Sequence, residues 1–324
     1  MHPPLSELLA SAHVVTLPLG VKFRGLWSRE VMLFKGSQGW TEFSPFVEYN
    51  DEEAVYWLRA ALEFGWQPLP PLYRDEIMVN ATVPAVAPDQ VAEVLSHFDG
   101  CRTAKVKVGE PGQPLSEDVA RVREVRRIMG PEGRIRVDAN AAWNVDEAEH
   151  AFHALAEFDL EYFEQPCASL LELAELRERT HYMDVLIAAD ESIRKAADPI
   201  VVAQAVAADV LVLKAQPLGG ISQIVALSHV VNLPIVISSA LESSVGIAMG
   251  LYAAAAVKEL NYDCGLGTAS LLAGDVTEAP LVARGGSIAV QRPVVSEDLL
   301  ERFAARPETT AWWLERLERC YKLL

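Results

Sequence analysis

The feature that most constrains the fold is a regular series of short apolar runs that end on charged residues. Four runs read TAKVKV, RIRVDAN, LEYFEQP and VLIAADES, and a fifth, DVLVLKAQP, contains a lysine near its end. Asp138, Glu164 and Asp190 are each 26 positions apart, and Lys214 follows after 24. A strand of about five residues, a helix of about 11 to 12 and two short loops add up to such a period. The series therefore predicts parallel strands with a charged group at the carboxyl end of each.

The same alternation extends on both sides of this series. Strand-like and helix-like segments alternate from residue 76 to residue 270, with a first strand at 77–83, an eighth at 262–268 and a helix around 198–206. Eight such units predict an α/β fold, a closed (β/α)₈ barrel over residues 76–270. A doubly wound open sheet is the structural competitor. We favour the barrel because charged residues recur at the ends of many strands, whereas an open sheet focuses its site at one switch point.

The first 75 residues have a different pattern and predict a small α+β capping domain. Three β-like runs precede an amphipathic helix at 51–66, which has acidic residues in its first turn, and a proline-rich segment at 68–73 follows. The tail from about 271 to 324 is predicted to return to this domain and complete it. Its last helix carries an apolar stripe of Trp312, Leu314, Leu317 and Tyr321 that needs a partner surface.

Composition excludes several classes of partner. The net charge of −17 argues against nucleic acid and against an anionic membrane, since both require a basic surface. No stretch approaches 18 uncharged apolar residues, and no export signal precedes the first strand, so we expect a cytoplasmic protein. The four cysteines are too far apart for a metal or redox pair and are expected to be reduced thiols. The sequence carries no signal of oligomeric state.

The three acids at the strand ends predict a metal site. A single acid at such a position is more often a helix cap or part of a surface ion pair. Three anionic oxygen donors at the same end of neighbouring strands instead require a cation, and a hard ion, Mg²⁺ ahead of Mn²⁺, suits them. Glu191 follows Asp190 directly and would point away from it if the strand continued, so we assign it a supporting role.

Two lysines in the second strand and one in the sixth predict acid and base chemistry. Lys105 and Lys107 are two apart in a strand and therefore share a face. At about 7 Å and an effective dielectric near 20, two ammonium groups repel by about 2 kcal/mol, which lowers the pKa of one of them. Lys214 is expected across the barrel from Lys107. Opposed lysines over a metal suit proton removal from a carbon acid, with the metal and the second cation stabilising the resulting oxyanion.

Together these motifs resemble the enolase superfamily, in its branch with paired lysines on strands two and six. The resemblance rests on the KVK of the second strand, VDAN, FEQP, ADES and VLKAQPLGG, and it covers nearly the whole chain. It implies a Mg²⁺-stabilised enediolate intermediate, with Lys107 and Lys214 as catalytic residues. It also implies a metal site of Asp138, Glu164 and Asp190.

Further sequence motifs extend this resemblance to substrate-binding and supporting residues. The early loop with Phe23, Arg24 and Gly25, the Arg136-x-Asp138-x-Asn140 pattern, SSALESSVG and DCGLGTASLL all contribute to it. The residues it implies for binding or support are Lys105, Arg136, Asn140, Glu191, Ser238, Ser239 and Arg24. The implied partner is a small-molecule carboxylate, and the implied reaction is dehydration of a hydroxycyclohexadiene carboxylate in menaquinone biosynthesis.

Other activities use the same parts. An N-acylamino acid racemase would use the two lysines on opposite faces of one carbon, and a muconate-type cycloisomerase is a third candidate. A dipeptide epimerase would carry an Asp-x-Asp in the eighth strand, where this chain reads Asp263-x-Gly265. A non-catalytic metal-binding barrel is a candidate of a different class. The presence of every expected charged residue argues against it.

Overall fold

The computed structural model describes residues 2–194 and 207–324. The helix predicted around 198–206 falls mostly in the interval between these ranges and so lies outside the described residues. In the described part, an antiparallel sheet and two helices precede a parallel sheet wrapped by helices. The predicted combination of an α/β barrel and an α+β capping unit is confirmed.

The capping unit is built on a three-stranded antiparallel sheet in the order β1-β2-β3. Its elements are α1 (Leu5–Ser11), β1 (His13–Phe23), β2 (Leu26–Gly36), β3 (Gly39–Phe43) and α2 (Asp51–Trp66). The helix α2 begins where the sequence predicts because the Asn50 side chain accepts from the backbone N–H of Glu53 at 2.8 Å. Its buried face includes Trp57, Leu58 and Leu62, which pack in the main hydrophobic core.

The barrel sheet contains seven strands that are neighbours in chain order. They are β5 (Ala81–Val83), β6 (Thr103–Lys107), β7 (Arg134–Asp138), β8 (Leu160–Glu164), β9 (Leu186–Ala189), β10 (Val210–Lys214) and β11 (Ile235–Ser238). The helices around them are α3 (Val91–Ser96), α4 (Leu115–Met129), α5 (Val145–Leu155), α6 (Leu170–Thr180), α7 (Glu191–Arg194), α8 (Ile221–Val230) and α9 (Ser244–Ala256). Because all seven strands are parallel, their carboxyl ends meet at one rim.

The predicted eighth strand is reduced to two bridges. Cys264 forms a parallel bridge with Val79, and Gly265 forms one with Ser238. The Gly265 N–H donates to the Ile237 carbonyl at 2.8 Å, so this short segment joins the last strand of the sheet to the first. A Cβ on Gly265 would lie 2.4 Å from Ser238 Oγ. A larger residue would therefore displace the Ser238 side chain. The chain then forms a short 3₁₀ helix, Gly267–Leu271, instead of extending a strand.

The predicted first strand, 77–83, is also divided. Its beginning forms β4 (Glu76–Met78), which pairs antiparallel with β12 (Ser287–Ala289) of the tail, and only its end enters the barrel as β5. The break lies at Asn80, whose side chain is buried and accepts from Arg136 Nη1 at 3.2 Å. The strand prediction was right about the chain direction and wrong about its continuity.

The tail returns to the capping unit through backbone pairing and helix packing. The Thr16 N–H donates to Phe303 O at 2.8 Å, after α10 (Glu297–Arg302), and α11 (Pro307–Tyr321) packs on α2. The predicted stripe on α11 is partly wrong, because Trp312 is 37% exposed. The buried residues, spaced by three or four positions, are Trp313, Arg316, Leu317 and Cys320.

We propose a capping domain of residues 1–75, completed by about 271–324, and a barrel domain of 76–270. The tail pairing with β1 and the packing of α11 on α2 support this division.

Two buried carboxylates of the capping unit reach the amino ends of barrel helices. Glu42 Oε2, from β3, accepts from Ser243 Oγ at 2.5 Å and from the Gly246 N–H at 3.0 Å, at the start of α9. Glu63 Oε1, from α2, accepts from the Ser222 N–H at 2.9 Å at the start of α8. A carboxylate is stabilised there by the unpaired N–H groups and by the helix dipole. These contacts fix the capping unit over the carboxyl rim of the barrel.

Glu42 makes the stability of this junction depend on pH. Burial, together with the neighbouring Glu242, raises the pKa of Glu42 to about 7, although hydrogen bonds from Ser243 and Ser44 and the charge of Arg29 oppose the shift. A carboxyl whose pKa is higher in the folded protein binds its proton more tightly there. The protonated Glu42 carboxyl therefore contributes to the stability of the folded protein below about pH 4.5, and this contribution is lost as the pH rises through about 7.

We expect Glu42→Gln to remove this dependence, because glutamine has no proton to lose. The free energy of unfolding of the variant minus that of the wild type should rise by up to about 3 kcal/mol between pH 5 and pH 8. Chemical denaturation at several pH values measures it. Glu52→Gln, which removes an exposed carboxylate of α2, is the control. Parallel curves for wild type and Glu42→Gln would contradict the assignment.

Candidate active site

The three predicted metal-binding acids lie at the carboxyl ends of adjacent strands. Asp138 is the last residue of β7, Glu164 is the last residue of β8, and the two are direct partners in the parallel register. Asp190 follows β9 immediately. Their side chains are almost completely buried, with exposures of 1% or less. Side chains alternate along a strand, so acids at matching positions at the ends of neighbouring strands point in the same direction. All three acids point into the barrel.

The three lysines are interleaved with these acids. Lys105 Nζ lies 2.8 Å from Glu164 Oε1 and 3.0 Å from Asp138 Oδ2. Lys107 Nζ lies 2.7 Å from the same Asp138 oxygen. The predicted shared face of the two lysines is therefore confirmed.

Lys214 lies on the far side of the same cavity from Lys107. It ends β10, and its Nζ lies 2.5 Å from Asp190 Oδ2. Three strands separate β6 from β10 in the sheet, and both lysines line one cavity. In a closed barrel this separation places the two ammonium groups on opposite walls.

The electrostatic environment distinguishes the three lysines. Burial lowers the pKa of Lys107, and Lys105 adds to that effect, while Asp138 opposes it; the net pKa is below the usual value. Burial also lowers the pKa of Lys105 and of Lys214. Nearby carboxylates outweigh it, however, and leave the pKa of both above the usual value.

The pKa values of the three acids are also shifted by burial and by the neighbouring charges. Burial raises the pKa of Glu164 to about 7, with Asp138 adding to the shift and Lys105 opposing it. Burial acts in the same direction on Asp138 and Asp190, but the adjacent lysines prevail and hold the pKa of both below the usual value. The arrangement concentrates negative charge that the lysines balance.

The donor set fits a hard divalent ion. Glu164 Oε2 is buried, and it finds no hydrogen-bond partner among residues 2–194 and 207–324. Within those ranges no set of three acidic, histidine or cysteine side chains stands ready to hold a metal. Lysine ammonium groups lie against oxygens of Asp138 and Asp190. The orphaned Glu164 oxygen and the all-oxygen chemistry still favour a cation here.

Asn140 and Glu191 lie beside Lys107. Asn140 Oδ1 accepts a hydrogen bond from Lys107 Nζ, and its Nδ2 donates to Glu191 Oε1 at 3.1 Å. Both residues line the cavity. The prediction that Glu191 points away from Asp190 assumed that the strand continues. The strand ends at Ala189 and α7 begins at Glu191, so the alternation of strand side chains no longer applies.

Arg136 occupies a deeper layer of the barrel. It lies two residues before Asp138 on β7 and is completely buried, with Nε 2.5 Å from Glu161 Oε2 and Nη1 2.7 Å from the Asp263 carbonyl oxygen. Its guanidinium also stacks over Tyr162 at 4.8 Å. It is absent from the residues that line the cavity. Its position favours support of the strand ends over contact with substrate.

Ser238, Ser239 and Arg24 reach the cavity from other segments. Ser238 ends β11, and Ser239 Oγ donates to the Gly265 carbonyl at 2.7 Å while also contacting Thr268 Oγ1 at 2.8 Å. Arg24 comes from the turn between β1 and β2, and its guanidinium lies 4.3 Å from the centroid of Phe46. All three line the cavity. The structure thus brings together every predicted site residue except Arg136.

Sequence reasoning missed the aromatic wall of the cavity. The lining residues that were not predicted as site residues are Phe23, Phe46, Tyr49, Trp57, Thr82, Pro217, Ala240, Leu241, Gly265 and Thr268. The aromatic residues come from the capping unit, where Phe23 lies in VKFRGLW, Phe46 and Tyr49 lie in SPFVEYN, and Trp57 lies in α2. A concentration of aromatics beside a predicted barrel mouth was the available signal.

Two family matches cover most of the chain. Residues 89–293 match the family described as Enolase C-terminal domain-like, and residues 14–65 match the one described as Enolase N-terminal domain-like. The matched intervals correspond to most of the barrel and to the sheet and first long helix of the capping unit.

Curated relatives match over almost the full length. The o-succinylbenzoate synthase of Mycobacterium tuberculosis is 51% identical over 323 residues, which cover 99% of this chain and 97% of the relative. The o-succinylbenzoate synthase of Mycolicibacterium smegmatis is 50% identical over 323 residues, covering 99% and 98%.

Solved structures show the same fold at low identity. The muconate lactonizing enzyme from Pseudomonas fluorescens, complexed with muconolactone, superposes with a TM-score of 0.78 at 20% identity, covering 91% of this chain and 98% of that one. Among the helices in the described ranges, none is long and apolar enough to cross a membrane.

Proposed function

The chain belongs to the o-succinylbenzoate synthases of the enolase superfamily, and from this we propose the reaction and the roles of its residues. It is an enzyme, a carbon–oxygen lyase of the hydro-lyase class. The proposed reaction is the syn dehydration of 2-succinyl-6-hydroxy-2,4-cyclohexadiene-1-carboxylate to 2-succinylbenzoate. The observation that carries the proposal is the pair of lysines on opposite walls of one cavity, with three buried acids between them.

Removing the proton is the difficult step. The carbon beside a carboxylate is a weak acid because loss of its proton creates a dianion. Lys107 Nζ, at the cavity wall and held by Asp138 and Asn140, is positioned to take that proton. The same group, then an ammonium, donates its proton to the departing hydroxide on the same face. Water leaves and the ring becomes aromatic, which drives the reaction forward.

Lys214 supplies the second cation. Its ammonium is held by Asp190 at 2.5 Å on the wall opposite Lys107. A fixed positive charge near the developing enediolate stabilises it more than water would, because the surrounding cavity is largely closed to solvent. Lys214 is only 14% exposed in its side chain, consistent with that environment.

Members of this superfamily use a divalent metal ion, and we propose Mg²⁺ here, with Mn²⁺ as a possible substitute. Asp138, Glu164 and Asp190 would hold it. The ion would supply the Lewis acidity that stabilises negative charge on the substrate carboxylate. Lys105, which bonds to Glu164 and Asp138, balances part of the negative charge of this set.

The remaining site residues are assigned to the substrate carboxylates and to support. Ser238 and Ser239 present hydroxyls beside the cavity, and Arg24 presents a guanidinium from the capping unit. We assign these groups to the succinyl carboxylate. Arg136, Asn140 and Glu191 support the catalytic residues. We further propose a cytoplasmic enzyme of menaquinone biosynthesis whose partner is a small-molecule carboxylate, in keeping with the net charge of −17.

A second activity is favoured by the opposed lysines. Two general acid and base groups on opposite faces of one carbon could invert an N-acylamino acid, with Lys107 removing a proton and Lys214 returning one. We propose this racemisation as a side activity.

Direct turnover tests the proposed function. With Mg²⁺ present, we expect the protein to convert the hydroxycyclohexadiene carboxylate to 2-succinylbenzoate, seen as loss of substrate absorbance. Chiral analysis of N-succinyl amino acids tests the racemase activity in parallel. Inactivity toward the cyclohexadiene would contradict the synthase assignment.

We expect Lys107→Ala to abolish dehydration while the fold stays intact. The base is lost, and general base catalysis contributes at least about 10²-fold to 10⁴-fold. Steady-state rates and circular dichroism measure the two effects. Lys22→Ala, which removes a lysine of β1 that does not line the cavity, is the control. A substantial residual rate in Lys107→Ala would remove Lys107 from its role as the base.

We expect Glu164→Gln to weaken divalent ion binding by at least about tenfold, because a charged oxygen ligand becomes a neutral one. Mn²⁺ titration followed by electron paramagnetic resonance measures binding without turnover. Glu242→Gln removes a buried carboxylate outside the predicted metal set and serves as the control. Equal Mn²⁺ affinity in Glu164→Gln and wild type would exclude Glu164 as a ligand.

A further inference from the structure

One wall of the cavity is formed by side chains from both structural units. Phe46 lies just after β3 of the capping sheet, and Leu241 lies between β11 and α9 of the barrel. Both are buried, with exposures of 3% and 1%, and both line the cavity that holds Lys107 and Lys214. The position of this wall therefore depends on how the capping sheet is held against the segment before α9.

Arg29 lies directly behind this wall. It belongs to β2, is 2% exposed and is absent from the residues that line the cavity. Its Nε donates to the Leu241 carbonyl at 3.2 Å, its Nη2 donates to the Ser44 carbonyl, and its guanidinium lies 4.2 Å from the centroid of Phe46. One side chain thus contacts both halves of the wall.

Leu241 has a backbone conformation that requires such support. Its φ is +62°, in the left-handed region that L side chains other than those of asparagine and aspartate rarely adopt. The neighbouring backbone is fixed as well, since the Ala240 N–H donates to Glu242 Oε2 at 2.6 Å. Strained residues of this kind persist where surrounding contacts over-determine them, commonly at functional sites. The hydrogen bond from Arg29 is one contact made to Leu241 itself.

The charge around Arg29 keeps its guanidinium in place. Glu42 of the capping sheet and Glu242 of the barrel are both buried and both attract it. Glu42 also binds the start of α9 through Ser243 and Gly246. A buried cation beside two carboxyl groups and several backbone carbonyl acceptors has little freedom to move.

We propose that Arg29 is a positioning residue for substrate binding, which acts by holding Phe46 and Leu241 as a fixed wall. This inference rests on the proposed function. The wall adjoins Arg24, Ser238 and Ser239, the groups assigned to the succinyl carboxylate, so it faces the part of the substrate that does not react. Contacts to a non-reacting part are made equally in the ground state and the transition state, and they change KM more than kcat.

The first test is the kinetic behaviour of Arg29→Met. Methionine keeps much of the apolar stem but donates no hydrogen bond. We expect KM for the cyclohexadiene to rise about tenfold or more while kcat stays within about threefold. Arg292→Met is the control, since Arg292 also donates to two backbone carbonyls and stacks on Phe64, away from the cavity. An unchanged KM, or a loss confined to kcat, would overturn the proposal.

A second variant acts from the other side of the contact. Leu241→Gly adopts a positive φ without strain and has no side chain in the wall. In that background, Arg29→Met should raise KM by a smaller factor than it does in the wild type, because one of the two wall residues that Arg29 holds has lost its side chain. If the effects of the two substitutions on KM simply multiply, Arg29 does not act through Leu241.

A crystal structure of the full-length Arg29→Met protein tests the proposal without measuring the reaction. We expect Leu241 to leave the left-handed region and the Phe46 ring to shift. An unchanged wall would overturn the proposal even if KM had risen. A shifted wall in a protein whose wild type fails to dehydrate the cyclohexadiene would support the positioning role while the proposed function fails. If Arg29→Met does not fold, Arg29→Lys, which keeps the charge but not the forked donors, takes its place in both measurements.

Discussion

The structure depends on a balance of buried opposite charges at the carboxyl rim of the barrel. Three carboxylates and three ammonium groups lie there at low exposure, in contacts of 2.5 to 3.0 Å. Any one of these charges would be costly to bury alone, and removing one partner leaves an unpaired charge in a closed space. A metal ion would add positive charge to this set. Glu164 Oε2, which has no hydrogen-bond partner among the described residues, could bind that ion. The site is therefore stable only as a group.

The barrel alone does not make a binding site. The charged floor comes from the strand ends, whereas the aromatic wall and Arg24 come from the capping unit. Glu42 and Glu63 join the two units by accepting hydrogen bonds at the amino ends of barrel helices. The tail contributes indirectly, since its pairing with β1 and the packing of α11 on α2 hold the capping unit together. The proposed catalytic residues thus lie on the barrel, and the capping unit contributes part of the wall around them.

The charged floor was predictable from the sequence, and much of the rest was not. Local rules suffice for Lys105 and Lys107, since residues two apart in a strand share a face, and the 26-residue period places the three acids. The same rules fail for Glu191, because sequence alone does not reveal that the chain turns into a helix one residue after Asp190. They fail for the eighth strand, where Gly265 permits a close approach instead of a regular strand.

Long-range packing accounts for the other differences. The face that α11 buries is chosen by α2, which lies about 250 residues earlier in the chain and fixes the register by contact. Arg29 and Leu241 are likewise distant in sequence and meet only in the folded protein. No local pattern marks such a pair, since an arginine in an exposed-looking strand is ordinary.

The central claim is that Lys107 and Lys214 flank a carbon acid whose carboxylate is held by a metal bound to Asp138, Glu164 and Asp190. A crystal structure with Mg²⁺ and 2-succinylbenzoate tests this most directly. We predict one ion bound by the three acids, the ring carboxylate on that ion, and Lys107 Nζ about 3 to 3.5 Å from the ring carbon that carried the proton. A product bound with its ring carboxylate away from both lysines, or an ion held elsewhere, would contradict the account.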